Sequence, residues 1–172
     1  MARYNASIVS LANQLSGVNA TTTVNGYMGY WGGSATSGFR LRRVNLGLVA
    51  GAGVPTSQQV KVGIFRQTVA PAGTGIAAAV LGQPMETWTP QTDPTAGLFA
   101  ITATTIGTTG PTLAANPIKT LTFNSQNSID APYEFMEELV SAIGTANGFG
   151  FVNLSAQIPS SHQISIDVEI EV

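Results

Sequence analysis

Few residues in this sequence are of types that could do chemistry, and they fall into small groups. Asp130, Glu134, Glu137 and Glu138 form the densest acidic group. Paired carboxylates hydrolyse glycosides when an apolar setting keeps one protonated while a second stays ionised. That chemistry needs an acid on each side of a cleft. The spacing supplies only neighbours, which suits a solvated helix face or a turn. His162 is the single histidine and cysteine is absent, which leaves no histidine-rich metal centre, thiolate zinc site or disulfide framework. His162 shares the parity of Ile164 and Ile166, which predicts a place at the mouth of an apolar core. Gly73-Thr-Gly75-Ile-Ala-Ala78 matches a dinucleotide-binding pattern in letters alone, since Pro71 precedes it and no strand-to-helix unit frames it. The expectation is a chain with no catalytic residue, cofactor or metal, and therefore no enzyme.

The basic residues are more suggestive. Arg40, Arg42 and Arg43 place three of the seven Lys and Arg within four positions. An Arg fork binds a carboxylate through two parallel hydrogen bonds. The matching acids belong either to another subunit or to this chain, and Asp167, Glu169 and Glu171 are candidates in both cases. Tyr27, Tyr30, Trp31 and Trp88 would make a sugar-stacking platform only on a shared face. Tyr27, Tyr30 and Trp31 do not share one strand parity, so packing in a core or interface is expected.

Around these residues the composition is poor in charge. Charged residues are 9% of the chain and the net charge is −2, where a soluble domain carries roughly a quarter charged residues. Little electrostatic repulsion keeps copies apart, so association is expected. Seven basic residues balanced by nine acids do not make the basic patch that nucleic acid requires. No stretch approaches the ~18 apolar residues of a membrane span. The start, Met1 to Asn5, has neither the apolar run nor the cleavage pattern of an export signal.

The elements that must position these groups are mostly strands. In Asn5 to Ser16, Ile8, Leu11, Ala12 and Leu15 recur at helical spacing. Residues 1–18 are therefore expected as a short helix or arm that covers an edge of its own sheet or lies on a neighbouring subunit. Residues 19–172 are expected as one domain. Strands are expected over Thr21–Trp31, Phe39–Val49, Gln59–Thr68, Ile76–Leu81, Leu98–Ile106, Ile118–Phe123 and Phe149–Leu154, with loop through most of Ala70–Pro94. Phe39 and Leu41 have one parity and Val44, Leu46 and Leu48 the other, which predicts a β-bulge at Arg42-Arg43. The last segment alternates cleanly, with Ile164, Ile166, Val168, Ile170 and Val172 against Ser165, Asp167, Glu169 and Glu171. Asp130 to Gly144 fits a helix capped by Asp130, or two short strands split near Glu137-Glu138; local spacing favours the helix. The fold class expected is mainly β, an antiparallel β-sandwich or jelly roll.

The sequence also resembles the small jelly-roll cement or decoration proteins of tailed-phage capsids. The resemblance lies in Gly32-Gly-Ser-Ala-Thr with the strand Phe39 to Val49, the loop Pro90 to Gly97, Gly148-Phe-Gly-Phe-Val-Asn-Leu, and the closing Asp-Val-Glu-Ile-Glu-Val. It covers about residues 21–172 in texture and strand order, with no invariant motif. It implies a jelly roll, a homotrimer, and a seat on the outer virion surface against the major capsid protein. It also implies strands over Tyr133 to Ile143. The residues expected at interfaces are Ile8, Leu11, Leu15, Arg40, Arg42, Arg43, Asp167, Glu169 and Glu171. The alternative expectation is a tail-associated module that binds a receptor or glycan.

Overall fold

The computed structural model describes residues 3–10, 27–32, 38–51, 53, 56–69, 112–134, 136–156, 158 and 162–172. Within them the chain forms ten strands and no helix: β1 (Arg3–Val9), β2 (Tyr27–Gly32), β3 (Phe39–Val49), β4 (Gln59–Val69), β5 (Thr112–Leu113), β6 (Lys119–Asn124), β7 (Ile129–Pro132), β8 (Leu139–Ser141), β9 (Gly148–Asn153) and β10 (Gln163–Glu171). All pairings are antiparallel. The first sheet runs β1-β10-β3-β7, with β8 also on β3; the second runs β2-β9-β4-β5, with β6 also on β4. The fold is a β-sandwich.

Period-two alternation builds the core. Ile164, Ile166, Val168 and Ile170 of β10, with Phe39, Leu41, Val44 and Leu46 of β3, face Val60, Val62 and Ile64 of β4 and Phe149 and Phe151 of β9. Each of these side chains is buried, and burying one is worth about 1.5–3 kcal/mol. Phe39 meets Phe149 edge-on, with ring centres 5.6 Å apart.

The bulge expected at Arg42-Arg43 is present. Glu169 pairs with Arg43 and Ile170 with Leu41, so Arg42 is the extra residue. Its effect is to keep both Leu41 and Val44 in the core while Arg42 and Arg43 stay out of it. The Arg42 carbonyl accepts the Tyr133 N–H at 2.7 Å.

Two helix readings are corrected. Arg3–Val9 is a strand on β10, so the expected helix does not form over Asn5–Val9. Tyr4 is buried, while Arg3 and Asn5 are exposed. A seven-residue ladder to β10 outweighs a weak helical spacing, whose later members Leu11, Ala12 and Leu15 lie outside the described residues. Asp130 to Gly144 is likewise not a helix. It holds β7, a turn in which the Glu137 N–H donates to the Glu134 carbonyl at 2.9 Å, and β8. Both strands pair with β3, so tertiary pairing overrides local spacing. Gly144 does end a segment, with a φ of 131° that favours glycine, but in the turn leading to β9.

The segments expected at Gln59–Thr68, Ile118–Phe123, Phe149–Leu154 and Ile164–Val172 appear as β4, β6, β9 and β10. The expected strands Ile76–Leu81 and Leu98–Ile106, the Ala70–Pro94 loop and the Gly73 to Ala78 pattern lie outside the described residues.

Candidate protein interface

Charge collects on the outer face of the first sheet. Strand parity places Arg3 opposite Glu171, Asn5 opposite Glu169 and Ser7 opposite Asp167; on the other flank of β10, Arg40 faces Glu171, Arg43 faces Glu169 and Asn45 faces Asp167. Opposite charges in directly facing positions attract across strands. Asp130, from β7, faces Asn45. Arg40 and Val140 face one another across β3 and β8.

The network centres on Arg42. Its Nε and Nη2 donate to Glu171 Oε2, both at 2.7 Å, and its Nη1 donates to Glu138 Oε1. Glu138 also lies 4.0 Å from Arg40, and Glu171 lies 3.6 Å from Arg3. Arg43 grips Asp130 with two parallel bonds of 2.7 and 2.5 Å. Arg3 reaches Glu169 at 3.4 Å. Of the two sources left open for the Arg partners, another subunit or this chain, the structure supplies carboxylates within the chain.

These contacts set the charge states. The hydrogen bond to Glu171 holds the Arg42 guanidinium above its ordinary range, and that to Asp130 does the same for Arg43. Asp130 is held below the usual carboxylate range by its bond from Arg43. Burial pushes Glu138 up, but the N–H groups of Glu138 and Met136 and the charges of Arg42 and Arg40 outweigh it, leaving its carboxyl low. Burial alone pushes the Tyr133 phenol up to about 12.

Asp167 has no basic partner within ion-pair distance among the described residues; it lies 3.5 Å from the Ser165 hydroxyl. With Asn5, Arg43, Asn45, Asp130 and Glu169 it borders a concavity of about 420 Å³ on this face. Sequence reasoning missed the contributions of Arg3, Asp130 and Glu138 to the network. The alternation of Arg3 with Tyr4 and Asn5 was the available signal, but the helix reading masked it.

Of the acidic group, Asp130 and Glu138 are held in ion pairs, and Glu134 and Glu137 are exposed at the turn. His162 is buried just before β10, as its parity predicts. Among the described residues, no group of three His, Cys, Asp or Glu is placed to hold a metal ion, and no helix is long and apolar enough to cross a membrane. Tyr27, Tyr30 and Trp31 lie in β2; Ile8 lies in β1, while Leu11, Leu15 and Trp88 lie outside the described residues.

The chain matches no family model, no curated protein and no solved structure.

Beside that face lies an apolar edge. Met136, Val140 and Ile143 are exposed, and they make up half of the exposed large apolar side chains among the described residues; the others are Val49, Val69 and Ile118. Met136 has a φ of 72°, in the left-handed region, where a side chain costs about 1–2 kcal/mol. The Glu138 carboxylate accepts the Met136 N–H at 2.8 Å, which ties this turn to the Arg42 network.

Proposed function

We propose that this chain is a structural virion protein, a cement or decoration subunit seated on the outer surface of a capsid shell. The observation that carries the reading is strand order. With β5 and β6 counted as one position, and β7 and β8 as another, the sheets run 1-8-3-6 and 2-7-4-5. Two antiparallel sheets of four positions, with the chain crossing between them at every step but the one from 4 to 5, support a jelly roll of two Greek keys. That is the fold implied by the resemblance to phage decoration proteins. Low charge and an exposed apolar edge support assembly as the working state. Many copies, each bound modestly, would stiffen a shell through their combined contact area.

Imaging of whole particles that carry this chain tests the reading directly. Density for the sandwich on the outer shell, between capsid subunits and in a homotrimer, is expected. Particles on which the chain occupies the tail would overturn it. Shells assembled without the chain should break at lower temperature than shells that carry it.

The polar concavity bordered by Asn5, Asn45, Asp130 and Asp167 favours a second reading, a tail module that binds a receptor or glycan. Amides and carboxylates suit sugar hydroxyls. A glycan array separates the two: saturable binding lost in Asn45→Ala supports the glycan reading, and an empty array supports the shell.

A further inference from the structure

The edge of the charged face holds a second, smaller cleft of about 210 Å³, bordered by Phe39, Arg40, Val140, Ile143, Glu171 and Val172. Pockets for drug-sized ligands span about 300–1,000 Å³, so this one has room for little more than a single large side chain. Two of its walls are apolar and open to solvent: Val140 is 46% exposed and Ile143 61%.

Its polar groups are incompletely used. Glu171 is only 4% exposed, and its Oε2 accepts both bonds from Arg42. Its Oε1 is buried and accepts no hydrogen bond among the described residues. A carboxylate oxygen out of water without a donor is costly, and a donor supplied by an occupant relieves that cost. Arg40 makes the longest contact of the network, reaching Glu138 only at 4.0 Å, and is 40% exposed. Its guanidinium can lie over an aromatic ring. A cationic occupant would meet Arg3 and Arg42 on the Glu171 carboxylate and Arg40 in the cleft wall, so the donor that fits is neutral.

We propose that this cleft docks one aromatic side chain of a partner protein, a tyrosine or tryptophan whose O–H or N–H donates to Glu171 while its ring packs on Val140, Ile143 and Arg40. Such side chains join an apolar body to one polar tip and dominate the anchors of protein interfaces. The chemistry of the cleft is independent of the shell reading, because any partner that offers the side chain would fill it.

Blocked tripeptides Gly-Tyr-Gly, Gly-Trp-Gly, Gly-Phe-Gly and Gly-Leu-Gly titrated into the isotope-labelled full chain, followed by amide NMR shifts, test the docking. The Tyr and Trp peptides should shift the Val140, Ser141 and Ile143 amides saturably. The Phe peptide, lacking the donor, should bind about tenfold more weakly, and the Leu peptide more weakly still. Ile143→Asp, at an exposed position, should abolish saturation with the rest of the spectrum intact. Arg40→Gln should weaken the Tyr peptide about threefold. Equal binding of the Phe and Tyr peptides, shifts centred elsewhere, or unchanged binding by Ile143→Asp would overturn the assignment. Shifts of the same amides with protein concentration alone would give the cleft to a second copy of the chain, and overturn it as well.

Discussion

The two sheets share one core but present opposite outer faces. On the first sheet, the outward positions of β1, β3 and β10 carry Arg3, Arg40, Arg43, Asp167, Glu169 and Glu171, and all of these but Asp167 take part in ion pairs. On the second, Phe65, Leu113 and Val152 form a separate buried apolar cluster, with Leu154 packed against it. Glycines make room for that cluster. A Cβ at Gly63 would meet Phe65 at 2.6 Å and Leu154 at 2.7 Å, and one at Gly150 would meet Leu113 at 2.7 Å. The same alternation thus gives a face held by directional, screenable pairs and a face held by close packing. The first face keeps its polarity and can meet a partner through charge, shape and the apolar edge beside it. The second spends its outward positions on stability.

This contrast predicts how each face fails. The largest effect is expected at Phe65→Ala, which empties the second cluster and should cost about 3–4 kcal/mol in urea unfolding, with little dependence on salt. Glu171→Gln leaves Arg42 half-matched and should cost less than Phe65→Ala, with the loss reduced as salt is raised toward 1 M. If Phe65→Ala proved the more salt-sensitive of the two, the contrast between the faces would fail. Gly150→Ala should cost about 1–2 kcal/mol, since only the flexible end of Leu113 must move. Met136→Gly should instead raise stability by about 1 kcal/mol, because glycine adopts the left-handed turn without strain; a fall in melting temperature would refute the strained turn.

The gentlest probe is acid. Asp130 and Glu138 have folded-state pKa values below their ordinary 3.8 and 4.5. Their contribution is therefore complete above those values and is lost as pH falls through the lower, folded ones. Asp130→Asn and Glu138→Gln should each flatten the stability profile below about pH 4. Phe65→Ala should leave that profile's shape unchanged, because the second cluster contains no titratable group.

How much was legible beforehand follows from the range over which each signal acts. The closing strand and the bulge at Arg42 could be read because alternation is a property of neighbours, and a single parity switch has one cheap solution in a buried strand. The Arg side chains and the acids of β10 were marked as partners by type. Whether they would pair within the chain or between chains was not legible, because β1, β3, β7 and β10 are far apart in sequence. Sequence by itself determined an antiparallel β protein, poor in charge, with Arg42 and Arg43 displaced together from an apolar strand. Only the tertiary structure decided that Arg3–Val9 and Asp130 to Gly144 are extended. It also decided that Asp130 and Glu138 join the Arg network. Helical spacing there was real, but ladders to β10 and β3 satisfy backbone groups and bury Tyr4 and Tyr133 in one step, and local propensity is too weak to resist them.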